Sequence, residues 1–200
     1  MIAVILAAGK GTRLYPYTKY KPKCMIKIND VSILEKQISI LKKNKNIKKI
    51  ILISGYKSKL IKNSNIIKIY NSRFKSTNML WSFYLAREYF YDDILLSYGD
   101  ILYSSNLLNK MVRSKNKISV AIDKKWKSYW SKRFKNIKDD VESLYLDKDN
   151  FIKSIGQKDI NISKMGGQYI GLTKFSKSTI KKCKVELDKM FKNTYYKENK

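Results

Sequence analysis

Residues 1–28 read MIAVILAAGKGTRLYPYTKYKPKCMIKI, and the reading of this stretch decides the fold. Ile2 to Leu6 is short, β-branched and apolar on both faces, the pattern of a buried central strand in a parallel sheet. It runs straight into Gly9-Lys10-Gly11-Thr12-Arg13, and a Pro22-Lys23 step follows. A secretion signal is not the expected reading, because no basic segment leads the apolar run and no cleavage-type spacer follows it. A dinucleotide fingerprint needs glycine at the last position of G-x-G-x-x-G, where this chain carries Leu14. A Walker A loop, G-x-x-x-x-G-K-S/T, does not fit either.

Outward from this strand the chain alternates. The segment VSILEKQISILKK, residues 31–43, holds a capping box of Ser32 with Glu35, and Leu34, Ile38 and Leu41 follow at helical spacing. Strands are expected at IKKIILIS, ending at Gly55, at IIKIYN, ending at Asn71, at DILLSYGD, stopping at Gly99-Asp100, and at KISVAID. Between them Thr77 or Asn78 can cap a helix whose stripe is Leu80, Phe83, Tyr84 and Arg87, with Met79 and Ala86 alongside. Another helix is expected from Ser104 to Arg113. The stretch from Asp123 to Lys158 is less regular, GGQYIGLTKF returns to strand character, and Ser176 to Phe191 reads as a closing helix.

This order predicts an α/β protein with a Rossmann-like, doubly wound, mostly parallel central sheet flanked by helices. In such sheets the ligand crevice lies at the carboxyl ends of the strands. Gly9-Lys10-Gly11, Gly55, Asn71 and Asp100 all fall at such ends.

Composition narrows the chemistry. With 44% apolar residues in 200, one domain over 1–200 has enough to build a core, and no repeat or Pro/Gly-rich linker divides it. The chain has no His, which excludes Ser-His-Asp and Cys-His catalysis and His-ligated zinc. Cys24 and Cys183 form neither a disulfide framework nor a metal-type spacing. The formal net charge is +27, yet only five of the 43 basic residues are Arg and the Lys are spread throughout. Solvated lysine faces explain that pattern better than a dedicated nucleic-acid interface, although the charge attracts small polyanions. No apolar run reaches the roughly 18 residues of a membrane span, so a cytoplasmic protein is expected, with a homo-oligomer left open.

The run Leu6-Ala7-Ala8-Gly9-Lys10-Gly11-Thr12-Arg13-Leu14, followed by Pro22-Lys23, resembles the signature of the sugar-nucleotidyltransferase superfamily. The resemblance continues through YNSRFKSTNMLWS and SYGDI. It implies an enzyme that joins a nucleoside monophosphate to a phosphorylated acceptor and releases pyrophosphate. Gly9 and Gly11 suit this, since they let backbone amides approach a triphosphate without a side chain in the way. The resemblance assigns Leu6 to Thr12, Gly55 and Gly99 to the nucleotide, Arg13 to its β- and γ-phosphates, and Lys23 to the transferring phosphoryl group. It makes Asp100 the ligand of Mg²⁺, and Asn71, Asn78 and Ser82 the lining of the base and ribose. An amide suits cytosine, which offers an amine and a carbonyl on one edge. Asn78 and Ser82 share a helix face, but as N-cap and surface residues they would need no ligand.

The segment DKKWKSYWSKRFKNIKDDVESL resembles the acceptor region of cytidylyltransferases that act on small amine-bearing phosphates or phosphonates, within residues 123–158. The expected acceptor residues are Trp126 and Trp130, with Tyr129, for cation–π contact, Asp123, Asp140 and Glu142 for counter-charge, and Arg133 for the phosphate. Trp126 and Trp130 are also spaced i, i+4, as a core-facing stripe would be. CTP and a small phosphorylated or phosphonate acceptor are thus the expected partners, with cell-surface or capsule decoration the usual destination. A sugar-1-phosphate nucleotidyltransferase and a shortened, non-catalytic nucleotide- or nucleic-acid-binding protein are the alternatives. The resemblance also implies a second acidic metal ligand on a strand beyond the closing helix. Glu186, Asp188 and Glu198 lie in that half, none at the end of an apolar strand. A shortened chain, a carboxylate supplied by Asp140 or Glu142, or a weakly active enzyme would each account for this.

Overall fold

The computed structural model describes residues 1–62, 65–158 and 160–198. Its strands are β1 Ile2–Ala7, β2 Lys27–Ile28, β3 Val31–Ser32, β4 Lys49–Ser54, β5 Ile67–Tyr70, β6 Ile94–Tyr98, β7 Ile118–Asp123, β8 Leu144–Leu146, β9 Ile152–Ile155 and β10 Gln168–Phe175. Its α-helices are α1 Ile33–Lys42, α2 Met79–Tyr84, α3 Ser105–Arg113, α4 Trp126–Arg133 and α5 Lys177–Glu198. The chain divides into two compact units, one of Met1–Ser119 with Thr173–Lys200 and one of Val120–Leu172.

The main sheet has the order β5-β4-β1-β6-β10-β7, with the division between units passing through β7 and β10. β1 pairs in parallel with β4, Ile2 opposite Lys49 and Ala7 opposite Ser54, and with β6, Ile2 opposite Ile94 and Leu6 opposite Tyr98. β4 pairs in parallel with β5 up to Ser54 opposite Tyr70. This register levels the carboxyl ends of four strands, so the residues after Ala7, Ser54, Tyr70 and Tyr98 emerge side by side. The chain winds from β1 outward to β4 and β5, then returns to place β6 on the other side of β1. The switch point therefore lies between β1 and β6, where doubly wound sheets open a crevice.

Both faces of the inner strands are covered. Ile2, Val4, Ile51 and Ile53 pack with Trp81, Phe83 and Tyr84 of α2 and with Ile180 and Leu187 of α5. Ala3 and Ile5, which point the other way along β1, are equally buried. The capping box is present as read: Ser32 Oγ accepts from the Glu35 amide at 3.2 Å, and the Glu35 carboxylate accepts from the Ser32 amide at 2.9 Å. From that start α1 buries Ile33, Leu34, Gln37, Ile38 and Leu41. Among the described residues no helix is long and apolar enough to cross a membrane.

Two local expectations are corrected. α2 stops after six residues, so the helical stripe does not run its predicted length: Phe83 and Tyr84 are buried, but Met79 and Leu80 are exposed and Arg87 falls in a separate 3-10 turn. The stretch before α1 carries an unpredicted hairpin of β2 and β3, turned by Asn29 and Asp30 with φ of 51° and 59°. Asn and Asp tolerate this left-handed backbone better than other side chains, and a two-residue turn of that hand suits the twist of paired strands.

In the second unit, β8 and β9 form an antiparallel hairpin with Leu144 opposite Ile155. Ser143, fully buried, ties the hairpin's neighbour by accepting from the Gln157 amide at 2.6 Å. α4 is held there by Trp130, whose indole N–H donates to the Asp140 carbonyl at 3.0 Å.

Candidate active site

A cavity of about 540 Å³ opens at the switch point. It is lined by Leu6 to Gly9 and Gly11 to Leu14 after β1, by Lys23 and Cys24, by Phe74, Thr77, Asn78, Met79 and Ser82, and by Tyr98, Gly99 and Asp100 after β6. Its size suits a nucleotide-sized ligand.

The glycine-rich loop is shaped by sterics. Gly11 takes φ 65°, and a Cβ there would lie 3.0 Å from Lys23 Cβ and 3.3 Å from the Thr18 methyl. Buried Thr18 also donates its hydroxyl to the Gly11 carbonyl at 2.9 Å. These contacts press the loop onto the Pro22-Lys23 segment and bring Lys23 to the cavity. At Gly9 the situation is opposite: a Cβ would meet nothing within 4 Å. The backbone there is open to an incoming group.

Gly99 and Gly55 are close-packing residues. A Cβ on Gly99 would stand 2.8 Å from the Leu6 carbonyl oxygen, and one on Gly55 would stand 2.6 Å from both the Ala8 carbonyl oxygen and Phe74 Cβ. Gly99 lines the cavity, whereas Gly55, also expected at the nucleotide, lies outside the lining and packs against Ala8 and Phe74. Lys10, also expected to touch nucleotide, projects to solvent and is outside the lining.

Lys23 Nζ donates to Asp100 Oδ2, both side chains being about one-third exposed at 33% and 34%. The turn that carries Asp100 is braced from below by Gln37 of α1, whose amide nitrogen donates to the Tyr98 carbonyl at 2.8 Å and to the Ile101 carbonyl at 2.6 Å. Cys24 is buried beside this pair, and burial pushes its thiol pKa up to about 12, with the Asp100 charge adding to the rise.

Asn71, expected to line the base, is 1% exposed and sits behind the cavity lining. Its amide nitrogen donates to Thr77 Oγ1 and to Ser82 Oγ, each at 3.1 Å, and its oxygen accepts from the Arg73 amide at 3.0 Å. Asn78 caps α2, its oxygen accepting from the Trp81 amide at 3.1 Å, and it also lines the cavity. Leu14, Cys24, Phe74, Thr77, Met79 and Tyr98 are lining residues that sequence reasoning missed; Thr77 and Met79 flank a residue it had chosen.

Of the residues expected to hold an acceptor, Trp126 is 1% exposed and its ring is buried, the core alternative that the i, i+4 spacing left open. Trp130 is half-buried and meets Trp126 edge-on at 6.2 Å, while the Arg133 guanidinium stands 5.9 Å from its ring. Asp123 accepts from the Lys125 amide at 2.7 Å, and Glu142 and Arg133 are exposed.

Asp100 is the one carboxylate among the described residues of the cavity lining, and no group of three or more His, Cys, Asp or Glu side chains is gathered for a metal among them. This donor set fits Mg²⁺, which keeps several waters and takes one or two carboxylates plus ligand phosphates. Asp188 is engaged with the Tyr84 hydroxyl at 2.9 Å and Glu186 with Lys189, and neither lines the cavity. The Glu198 side chain lies outside the described residues.

Residues 2–127 match the nucleotidyl transferase family, and the chain belongs to it. It is similar to the CTP:phosphoglutamine cytidylyltransferase of Campylobacter jejuni, with 35% identity over 187 residues, 88% of this chain and 73% of that protein. It is also 33% identical to the choline-phosphate cytidylyltransferase of Streptococcus pneumoniae over 57% of this chain and 51% of that one, so the match spans about half the length of that relative. Among solved structures, the CTP:phosphocholine cytidylyltransferase of Streptococcus pneumoniae superimposes with a TM-score of 0.70 at 23% identity, covering 96% of this chain and 78% of the other. The inositol-1-phosphate CTP transferase of T. maritima gives 0.68 at 21% identity, covering 90% and 72%. These neighbours share the Rossmann-like fold.

Proposed function

We propose that the chain transfers CMP from CTP to a small phosphate or phosphonate ester and releases pyrophosphate. The observation that carries this reading is the meeting of the Gly9 loop, Arg13, Lys23 and Asp100 around one cavity at the switch point. The choice of cytidine rests on the Campylobacter jejuni relative, which is similar over most of this chain.

The reaction asks little covalent chemistry of the protein and much positioning. An acceptor oxygen attacks the α-phosphorus; as that bond forms, the bond from the α-phosphorus to the bridging oxygen breaks, and pyrophosphate leaves with the electron pair. The open backbone at Gly9 receives the triphosphate, Gly11 shapes the loop that carries it, and Arg13 neutralises the β- and γ-phosphates. Lys23 leaves Asp100 to stabilise charge on the transferring phosphoryl group and the acceptor phosphate. Asp100, with water and phosphate oxygens, would hold Mg²⁺, which when bound supplies charge neutralisation for the leaving pyrophosphate. In residues 120–172, Trp130, Tyr129, Asp123, Asp140 and Glu142 are the candidates for an acceptor ammonium, and Arg133 for its phosphate. On this reading the reaction runs in the cytoplasm, and its products go to the cell surface or capsule.

The test is pyrophosphate release from CTP, ATP, UTP and GTP, with Mg²⁺, against a panel of phosphorylated amines and sugar 1-phosphates. CTP turnover with a phosphorylated amine is expected. UTP or dTTP turnover with a sugar phosphate would replace this reading.

A further inference from the structure

We infer that the loops after β1 and β4 form a peripheral docking surface for an anionic lipid bilayer. Tyr15, Tyr17 and Tyr20 are its interfacial anchors, and Lys19, Lys57 and Lys59 draw it to the membrane. The inference is independent of the reaction assigned to the cavity.

The loop between Leu14 and Pro22 reads YPYTKYK and turns its large side chains to solvent. Tyr15, Tyr17 and Tyr20 are 61%, 71% and 69% exposed, while Thr18 between them is buried. Single exposed aromatics are ordinary on a protein surface, but three gathered in one short loop form a patch. The loop after β4 joins it. Tyr56 packs its ring against Phe74 and donates its hydroxyl to the Lys19 carbonyl at 2.7 Å, which ties the two loops into one surface. Lys57 follows in left-handed backbone, with φ 47° and ψ 35°, a conformation that costs free energy for any residue with a Cβ. From there its ammonium stands 5.5 Å from the centre of the Tyr20 ring and 5.7 Å from that of Tyr56. The Lys19 ammonium lies 5.2 Å from the Tyr20 ring. Lys59 and the exposed Leu60 follow on the 3-10 turn Ser58–Leu60.

The charge of this surface calls for an anionic partner. No Asp or Glu occurs at positions 1–29 or 36–87, so neither loop carries an acidic residue or has one close in sequence. Solvated lysines explain the charge but not the tyrosines set among them. A bilayer surface explains both. Tyrosine, an apolar ring with a polar tip, settles at the level of the lipid headgroups. Lysine lays its stem along apolar surface, keeps its ammonium among the phosphates and is attracted by an anionic leaflet. Single-stranded nucleic acid makes different demands: open ring faces on which bases stack, and arginine at base edges. The Tyr20 ring already carries two ammonium groups, and no Arg occurs at positions 14–72.

The experiment is co-sedimentation of the full chain with vesicles of phosphatidylcholine alone and of phosphatidylcholine mixed with phosphatidylglycerol. Three double variants are compared with the wild type. Tyr17→Ser with Tyr20→Ser removes the anchors and keeps the charge, and Lys19→Glu with Lys57→Glu reverses the charge of the patch. Lys181→Glu with Lys182→Glu makes the same charge change at exposed positions of α5, outside the patch. The wild type is expected to sediment with the mixed vesicles and not with the neutral ones. The tyrosine pair and the Lys19–Lys57 pair should each weaken that binding about tenfold or more, and the α5 pair far less. A wild type that ignores the mixed vesicles overturns the inference, as does a tyrosine pair that binds them like the wild type. An α5 pair that falls as far as the Lys19–Lys57 pair reduces the effect to overall charge and overturns it too. So does tyrosine-dependent binding of a single-stranded oligonucleotide that is tighter than binding of the vesicles. All six positions are exposed, so the thermal midpoints should match the wild type; if a double variant does not fold, its two single substitutions carry the same comparison.

Discussion

Lys23 and Asp100 are ion-paired across the cavity although 77 positions separate them in sequence, and each side chain remains about one-third exposed. An exposed pair of this kind contributes about 0–1 kcal/mol to stability, too little to explain its placement at the switch point. Under the proposed function the pair would hold each charge neutralised until ligand arrives, and a triphosphate with its cation would then take both partners, Lys23 to phosphate and Asp100 to metal.

The first prediction follows. Lys23→Ala and Asp100→Asn should each lower pyrophosphate release about a hundredfold or more, the scale of one preorganised charged or donor group in a transition state. Their thermal unfolding should change little, since the pair is exposed. Activity near the wild-type level in either variant, measured by pyrophosphate release, would remove the assignment of the site.

Gln37 gives a second. Its amide braces the Tyr98 and Ile101 carbonyls on either side of Gly99-Asp100, from a position that is 1% exposed. Gln37→Leu keeps the volume and removes both donors, leaving two carbonyls to be satisfied anew at a stability cost of about 1–3 kcal/mol. Displacement of the Asp100 turn should lower kcat at least tenfold while the KM for the acceptor stays near its wild-type value. A variant that loses stability but keeps kcat would show that Gln37 supports the fold alone.

The glycines separate fold from ligand contact. Gly55→Ala forces a methyl onto the Ala8 carbonyl oxygen and Phe74 Cβ, both at 2.6 Å, and should destabilise the chain by about 1–3 kcal/mol. Gly9→Ala meets no atom within 4 Å and should unfold at the wild-type temperature. It should nonetheless weaken triphosphate binding, because its methyl occupies space offered to the phosphates. Calorimetry of folding and of nucleotide binding on the two variants reads these outcomes directly.

What the sequence made legible is what local pattern encodes. The buried apolar run of β1, the Ser32–Glu35 capping box and the strand ends at Gly99-Asp100 need no partner to be recognised. Glycine identity alone does not separate Gly9, which faces open space, from Gly55, which is hemmed in by Ala8 and Phe74; only tertiary packing does. Asn71 looked like a ligand residue because it ends a strand, but the burial and the three hydrogen bonds that make it a wall brace depend on residues 73, 77 and 82 folding back on it. Gln37 was invisible for the same reason, a polar residue on an otherwise apolar helix face whose partners lie more than sixty positions away. The Asn29-Asp30 hairpin did carry a local signal, in two residues tolerant of left-handed backbone between short β-prone stretches.

The two cysteines differ in a way that labelling can read. Cys24 is 2% exposed, and burial raises its thiol from an ordinary 9.0 to about 12, whereas Cys183 is partly exposed and shifted upward by burial without a comparable enclosure. Thiolate is the reacting form, so iodoacetamide at mildly alkaline pH should modify Cys183 and spare Cys24 in the folded chain, and should modify both in denaturant. The same shift acts on stability. The unfolded chain gives up the Cys24 proton near 9.0 and the folded chain only near 12, so between these values the folded state binds more protons and the fold weakens as pH rises. Below that window the thiol is neutral in both states and adds no pH dependence. A Cys24→Ala variant should therefore lose part of the decline in unfolding midpoint seen across this alkaline range; rapid labelling of Cys24 in the native chain, or an identical alkaline decline in the variant, would contradict the buried, neutral thiol.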